Sequence, residues 1–431
     1  MVRIFSILIS LSAFLVSLPA STLAQKVVEQ QTRFRFAQMH LGVDGQYIPP
    51  VRSGYLSATG EQRLFTVPGT YHPRFTIGAT HFWGLVDLYV SFPLASIRPK
   101  VNEVEDYTVS TNVTTGARVH PLQLRYHRLN PYVGAAWSTL SYNQRVNAQL
   151  SGTTFTKDVL TLEGGLSWLT GPHWFELGVQ HLPNRELLYA TSRQTSAPVR
   201  FPAFTVQLAY KFLLDVTRPL EKDNKEAFGH YLRERRQLSG FHLDIGPSAA
   251  FTLPRSEYNA RNRPYLNNPS GNRTFLDLSA GYYFYKPDFD IRLAHRHIVA
   301  DHTAYGLTQQ LDRRSVSLEV YKYLLDYHGF VPFLGLSLSR EQLGVREVDE
   351  GILVTNQREL HYTPGLVFGW DIRPVRYESI LLRTNLRYSP FLKTRVNGQT
   401  ISFQQLEFNF IQAVIYPQRL IASRRYLKNK L

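Results

Sequence analysis

The chain has 431 residues, contains no cysteine and carries a formal net charge of +15 at pH 7. A sequence without thiols excludes disulfides, iron–sulfur clusters and thiolate zinc sites. The basic residues are scattered and form no recognition element rich in Arg and Lys, so we expect no nucleic-acid partner. The positive excess instead predicts attraction to anionic lipid head groups or to the phosphates of lipopolysaccharide.

The first 24 residues have the features of a secretory signal peptide. Arg3 supplies the positive charge, an apolar run extends from Ile4 to Leu18, and Thr22-Leu23-Ala24 supplies the small residues of a cleavage site. No later segment is uniformly apolar over about 18 residues, so we expect no transmembrane helix. The sequence predicts a mature chain that begins at Gln25 and lies outside the cytoplasm.

The rest of the sequence contains two copies of one β-rich pattern. The motif Pro131-Tyr132-Val133-Gly134 returns as Pro332-Phe333-Leu334-Gly335, and other glycine-centred motifs recur at a similar spacing of about 200 to 204 residues. A charged and partly helical run, 216–239, separates the copies. We predict a signal peptide (1–24), a first barrel repeat (25–215), a periplasmic linker (216–239), a second barrel repeat (240–417) and a basic periplasmic tail (418–431).

Segments of alternating apolar and polar residues predict about sixteen antiparallel strands. Their connections alternate between short and long, as in outer-membrane barrels with tight periplasmic turns and longer outer loops. The predicted short turns include Trp83-Gly84, Thr170-Gly171-Pro172, Lys286-Pro287, Tyr327-His328-Gly329 and Arg373–Arg376. The predicted long loops include Asp301–Arg313 and Glu341–Asn356.

The alternation gives each strand an apolar face and a polar face, which fits either a lipid-facing barrel or a soluble sandwich. Aromatic residues near strand ends favour the lipid-facing barrel, because they are enriched at membrane interfaces; they are Tyr285, Trp370, Tyr388 and Tyr416. We predict an all-β transmembrane barrel of about sixteen strands built from two eight-stranded repeats. The first alternative is two tandem eight-stranded barrels filled by their own side chains. The second is a soluble, duplicated periplasmic β-sandwich that acts as a binding protein.

Strand parity also places many charged side chains on the inward face. In the second copy the predicted charge network of the barrel lumen comprises Asp244, Asp277, Asp290, Arg292, Glu319, Glu359, Arg383, Arg387 and Glu407, with His242 on the same face. Comparable positions of the first copy are Arg74, Asp87, Arg118, Glu163, Glu176 and Lys211. Unpaired buried charges are costly, so these groups should form ion pairs or line water. The set predicts either a filled, stiffened barrel or a pore constriction.

The sequence offers only weak candidates for catalysis or metal binding. His295 and His297 share one strand face and His302 follows, which suits a metal site, although histidines at a membrane interface explain them better. Inward serines at 279, 317, 337 and 339 lack a nucleophile-elbow motif, and no nucleotide fingerprint is present. We therefore predict no enzyme, no metal and no cofactor, with a lipid-modifying barrel enzyme as the alternative.

Two stretches resemble a known family. The segment Gly116–Pro121 followed by Asn130–Gly134, and the segment Gly365–Tyr388 with its Gly369–Pro374 turn, are similar to OmpA-like outer-membrane β-barrel proteins of Bacteroidetes-group bacteria. The resemblance covers nearly all of the mature chain. It implies an integral protein of a Gram-negative outer membrane that is inserted by the barrel-assembly machinery. The function we expect is that of a porin-like passive pore, or a structural or surface-interaction role without catalysis.

Overall fold

The computed structural model describes residues 36–57, 59–146, 152–214, 222–253, 256–266 and 273–428. The predicted signal peptide lies outside these residues, as do parts of the linker and the last three residues of the tail. In the described part of the chain, no helix is long and apolar enough to cross a membrane.

The first copy closes into an antiparallel barrel of eight strands in the order β1-β12-β9-β8-β7-β6-β5-β4. Closure occurs because β1 pairs with β12 on one side and with β4 on the other. The strands of this barrel are β1 (Gln38–Ile48), β4 (Thr70–His81), β5 (Val86–Pro93), β6 (Asp106–Val119), β7 (Leu129–Arg145), β8 (Phe155–Thr170), β9 (His173–His181) and β12 (Phe204–Leu214).

A separate four-stranded sheet covers the end of the first barrel at which the longer connections lie. It has the order β10-β11-β2-β3 and comprises β2 (Val51–Leu56), β3 (Gln62–Val67), β10 (Glu186–Ala190) and β11 (Ser196–Arg200). Beneath it lies an apolar core that includes Val51, Val67, Leu140 and Val199. The hydroxyl of Tyr142 donates to Ser53 Oγ at 2.7 Å, which ties a barrel strand to this lid sheet.

The second copy closes in the same way, in the order β13-β14-β15-β16-β17-β18-β19-β22. Its strands are β13 (Gly240–Thr252), β14 (Arg273–Phe284), β15 (Phe289–Ala304), β16 (Leu307–Tyr323), β17 (Phe330–Asp349), β18 (Ile352–Ile372), β19 (Ile380–Tyr388) and β22 (Gln405–Ile415). A hairpin of β20 (Lys393–Val396) and β21 (Gln399–Ser402) lies between β19 and β22.

The described residues form three helices: α1 (Lys222–Glu234) in the linker, α2 (Glu257–Asn262) between β13 and β14, and α3 (Pro417–Lys428) after the last strand. Tyr426 of α3 contacts Phe228 and Tyr231 of α1, with ring centroids 5.7 and 5.3 Å apart. The buried guanidinium of Arg419 donates to the carbonyl oxygens of Glu378 at 2.8 Å and Leu238 at 2.5 Å. Helices α1 and α3 therefore dock on the end of the second barrel at which the short turns lie.

The all-β fold with two eight-stranded repeats is confirmed, but the single closure that we favoured is not what the chain forms. The described strands make two closed barrels, which is the first alternative, and the β-sandwich alternative is wrong. The reason lies in the ladders, because β12 returns to β1 and β13 pairs with β14 and β22. Each copy thereby satisfies the edge strands of its own sheet, which would otherwise expose unpaired backbone groups.

Two predicted long loops are wrong. Each segment instead extends the two strands that flank it. Residues 301–313 contain the two-residue turn Tyr305-Gly306, and residues 341–356 contain the two-residue turn Glu350-Gly351. Both positions of each turn have positive φ, at 49° and 83° in the first and 49° and 84° in the second. This is the geometry of hairpin turns that match the twist of the strands they join. From residue 301 to 313 and from 341 to 346, the outward strand positions of these extensions are polar or glycine, so the sequence there does not show the apolar face that predicts a barrel strand.

The two barrels pack against each other along their length. In the middle, Val90 and Val113 of the first barrel share an apolar cluster with Phe251 and Phe410 of the second. At the short-turn end, Phe36, Phe82 and Trp83 meet the rings of Tyr327, His328 and Phe330. At the other end, Arg193 donates to Asp349 Oδ1 and to the Tyr305 carbonyl, both at 2.6 Å.

Candidate functional site: the charged barrel interiors

The inward positions of each barrel follow from the two-residue period of a strand. In β15, the buried residues Asp290, Arg292 and Arg296 alternate with the exposed Leu293 and His295. Bulky inward side chains fit because glycines face them from neighbouring strands. Gly165 and Gly178 form one cross-strand pair, and the Tyr132 hydroxyl occupies the space that a Cβ at either position would need.

One half of the second interior is organised around Arg383. Its guanidinium contacts both oxygens of Asp371, at 2.7 and 3.0 Å, and Asp290 at 3.1 Å. His242 bridges two carboxylates, with Nδ1 2.5 Å from Asp244 and Nε2 2.9 Å from Asp290. Arg292 joins this group to the other half, because it contacts Asp244 at 2.9 Å and Glu319 at 2.7 Å.

The other half is organised around two glutamates. Glu319 receives ion pairs from Arg292, Arg296 and Arg387 at 2.7, 2.7 and 3.0 Å. Glu407 contacts Arg313 at 2.6 Å and Arg387 at 2.8 Å. Arg313 in turn holds both oxygens of Glu341 at 2.9 Å. This bidentate geometry is the strongest form of an arginine–carboxylate pair.

The first barrel has a smaller network of the same kind. Arg118 contacts Glu176 at 2.6 Å and Glu163 at 3.1 Å, and Lys211 contacts Asp87 at 2.9 Å and Glu176 at 3.0 Å. Near the lid, Arg74 Nε donates to Asp44 Oδ1 at 2.5 Å. All six inward positions considered for the first copy are buried in this barrel.

The structure brings together eight of the nine residues of the predicted charge network. They are Asp244, Asp277, Asp290, Arg292, Glu319, Arg383, Arg387 and Glu407, each at most 2% exposed. Glu359 lies apart, because its side chain is 41% exposed near the rim and contacts His361 and Thr394 instead. Glu359 lies at an inward position of its strand, but closer to the rim of the barrel than the network does.

Sequence reasoning missed four members of the network: Arg296, Arg313, Glu341 and Asp371. Arg313 and Glu341 lie in the segments that the sequence predicts as long loops. Arg296 lies two and four residues along β15 from inward positions and could have been found by parity. Asp371 closes a strand at its turn, where boundaries are the least certain part of a sequence-based prediction.

The three candidate metal-binding histidines do not form a shared site. His295 and His297 are exposed on the outward face of β15, and His297 Nε2 lies 2.9 Å from Asp312 of the neighbouring strand. His302 continues β15 instead of lying in a loop. Over the described ranges, no three His, Cys, Asp or Glu side chains are grouped so that they could hold a metal ion.

Two of the four inward serines belong to the ion network. Ser279 Oγ donates to Asp244 at 2.9 Å and Ser317 Oγ donates to Glu319 at 2.9 Å. The nearby histidines also contact carboxylates: His242 contacts two aspartates and His361 contacts Glu359. A hydroxyl that donates to a carboxylate inside a filled barrel has the geometry of a structural group.

A third charged group lies at the rim of the second barrel, beside α2. Arg263 Nη2 contacts Glu347 Oε1 at 2.6 Å, and Gln309 donates to the other oxygen of Glu347 at 3.2 Å. Burial acts to lower the pKa of Arg263, but the hydrogen bond and charge of Glu347 raise that pKa above its ordinary value. The pair therefore stays ionised and fixes the connection between β13 and β14 over the barrel mouth.

Comparisons with known proteins give a fold likeness only. No protein-family model matches the chain, and no curated protein matches it. Among solved structures, Ail, the attachment invasion locus protein of Yersinia pestis, is 8% identical, with 41% of this chain and 97% of that chain covered and a TM-score of 0.28. An outer-membrane channel from Pseudomonas putida F1 is 12% identical, covers 88% and 95% of the two chains and has a TM-score of 0.21. OmpT of Vibrio cholerae is 8% identical over 88% and 98%, at a TM-score of 0.18. The channel and OmpT are described as outer-membrane proteins, but similarities this weak carry no argument about this chain.

Proposed function

We propose that this chain is an integral outer-membrane protein in which two filled barrels lie side by side, with a structural or surface-interaction role and without catalysis. Of the two functions expected from the sequence, the passive pore is the less well supported. The observation that carries the proposal is the burial of the charged interior. A water-filled lumen would leave such side chains exposed, yet the eight clustered residues of the predicted network are at most 2% exposed.

The outward faces support placement in a membrane. Neighbouring strands present exposed apolar rows, such as Leu318 opposite Leu338 and Leu336 opposite Leu366, at 50, 58, 66 and 53% exposure. Similar residues continue around both barrels, among them Leu162, Leu177 and Leu208 in the first. Apolar surface this extensive is rare on a soluble monomer, and a lipid bilayer would cover it.

The finer parts of the proposal come from the sequence. The signal peptide 1–24 directs export, and the repeat bounds 25–215 and 240–417 enclose the two barrels. The linker 216–239 and the tail 418–431 lie in the periplasm, and the lid sheet and the long hairpins lie on the outer side of the membrane. The barrel-assembly machinery inserts the chain. The OmpA-like resemblance fits barrels of eight strands, whose interiors are narrow enough to be filled by side chains.

Single-channel recording in a planar bilayer tests the proposal. Refolded protein that shows β circular dichroism and heat-modifiable gel mobility is expected to give no stable conductance, because both interiors are filled. A porin recorded under the same conditions serves as the control for insertion. Stable steps on the order of a nanosiemens, the behaviour of wide water-filled barrels, would contradict the proposal and restore the passive pore.

A further inference from the structure

A basic patch lies on the outer wall of the second barrel, across strands β15 to β18. We define this wall patch as His295, His297, Arg314, Arg340 and Arg358, all of which are exposed. The strand register places His297 opposite Arg314, and it places Arg340 opposite Val316, two residues from Arg314. Arg358 lies opposite Gly344, four residues along β17 from Arg340. The patch therefore spans four adjacent strands instead of a single charged segment.

The wall patch begins where the apolar belt ends. Toward the short-turn end, the outward positions on the same strands are apolar, including Leu293, Leu318, Leu336, Leu338 and Phe368. On β17 the exposed face changes from apolar to basic between two successive outward-facing residues, Leu338 and Arg340. On β15 the same change occurs between Leu293 and His295. A bilayer that covers the belt would place its head groups at the level of the patch.

Much of the positive charge of the wall patch is not neutralised within the protein. Asp312 is its acidic neighbour, 2.9 Å from His297 and 3.5 Å from Arg314. Arg340 and Arg358 form no ion pair within the described ranges of the chain. Two arginines in this state on a surface that borders lipid call for an anionic partner, and arginine matches the geometry of phosphate oxygens.

We propose that the wall patch binds the phosphate groups of a phosphorylated glycolipid of the outer leaflet, the lipid A portion of lipopolysaccharide. Its acyl chains would lie along the apolar rows of β15 to β18, and its phosphates would contact Arg314, Arg340 and Arg358. The inference rests on the proposed function, because the long-hairpin end must face the outer leaflet. It makes this surface a specific lipid site in addition to the general attraction of a basic protein.

The test is native mass spectrometry of the refolded protein in detergent, titrated with bisphosphorylated lipid A and with the same lipid after removal of its phosphates. We expect the phosphorylated form to bind more tightly to the wild type. The triple variant Arg314→Gln/Arg340→Gln/Arg358→Gln should lose at least about tenfold in affinity, equivalent to about 1.4 kcal/mol. The matched control Arg125→Gln/Arg128→Gln/Arg424→Gln removes the same charge from exposed positions at the opposite end and should bind as the wild type does.

Equal affinity of the triple variant and the wild type would overturn the proposal, as would equal binding of phosphatidylglycerol in place of lipid A. The single variant Arg340→Gln provides a second reading if the triple variant refolds poorly, and it should show a smaller loss in the same direction. Liposome flotation separates this inference from the proposed function. Protein that fails to insert contradicts the membrane placement, whereas inserted protein without lipid A selectivity contradicts the wall patch alone.

Discussion

At the scale of single residues, the defining feature is a set of charges that are buried only in combination. Arg383 is fully buried, forms ion pairs with Asp371 and Asp290, and donates a hydrogen bond to the Tyr323 hydroxyl. That hydroxyl in turn donates to Asp371 at 2.8 Å. Each member compensates the desolvation of the others, so the arrangement tolerates the loss of a whole group better than the loss of one partner. Such a core specifies one packing of the barrel.

Replacing Arg383 with methionine should therefore be strongly destabilising. The change removes the ion-pair partner of Asp371 and one of the two partners of Asp290 in a closed interior, at a cost of about 3–5 kcal/mol. Urea unfolding in detergent, followed by the heat-modifiable gel shift, measures the free energy of unfolding. The exposed Arg340→Gln serves as the control and should change that free energy by no more than about 0.5 kcal/mol. Equal effects of the two variants would show that the network is not what stabilises the barrel.

At the scale of elements, the second barrel extends beyond its apolar belt as two long hairpins. These hairpins depend on turns whose residues accept positive φ, and Gly351 at 84° is the clearest case. A β-branched residue there meets the steric penalty of the left-handed region.

The variant Gly351→Val should loosen the tip of the β17–β18 hairpin by roughly 1–2 kcal/mol. Hydrogen exchange of the amides from Asp349 to Leu353 should accelerate, while the lower barrel stays protected. Gly344→Ala in the same hairpin is the control, because a Cβ there meets its nearest atom at 3.4 Å, an ordinary contact. Unchanged exchange at the tip of the valine variant would refute the role of this turn.

The attachment of helix α3 to the end of the second barrel is a second feature at the scale of elements. Arg419 of α3 binds the Glu378 carbonyl before β19 and the Leu238 carbonyl after α1, and its guanidinium lies 4.0 Å from the Tyr416 ring centroid. One side chain thereby links the linker, a turn and the chain end.

Replacing Arg419 with alanine should release α3 from the barrel. The loss of charge-assisted hydrogen bonds in a buried position costs about 1.5–3 kcal/mol for each bond. A spin label at Leu427, which is 43% exposed, should become more mobile in this variant. Arg424→Ala, at an exposed position of the same helix, should leave the label unchanged. A label that is equally mobile in both variants, or that stays immobile in both, would contradict the role of Arg419 in holding α3 on the barrel.

At the scale of the whole molecule, the question is what holds two closed barrels together. The contact is apolar in the middle and aromatic at the short-turn end. At the other end Arg193 pairs with Asp349 and Glu350, and Ala190 packs in an apolar cluster of the second copy and accepts a hydrogen bond from the Tyr305 hydroxyl. The side chains of Arg193 and Asp349 are 26% and 20% exposed. This ion pair joins the lid sheet region of one barrel to the hairpins of the other and is open to screening by salt.

The variant Arg193→Gln should let the outer ends of the barrels move apart. Because the chain has no native cysteine, labels at Leu188→Cys and Arg346→Cys report this distance by pulsed electron spin resonance. We expect a broader distance distribution than in the wild type, and 1 M salt should broaden the wild-type distribution in the same direction. Arg200→Gln, which breaks an ion pair with Glu186 inside the lid sheet, is the control. A distribution that Arg193→Gln leaves unchanged would show that the apolar contacts alone set the geometry.

The sequence by itself determined the strand character, the duplication and the inward face of nearly every predicted lumen charge, because a period of two residues records which side of a sheet each residue occupies. Asp244 and Arg292 could thus be placed inward without knowledge of their partners. The tertiary structure decided which strands close the sheets, since the alternation in β12 is the same whether it pairs with β1 or with β13. It also decided that Arg313 and Glu341 meet, because the outward positions of these strand extensions are largely polar and only the ladder between β16 and β17 brings the two residues together.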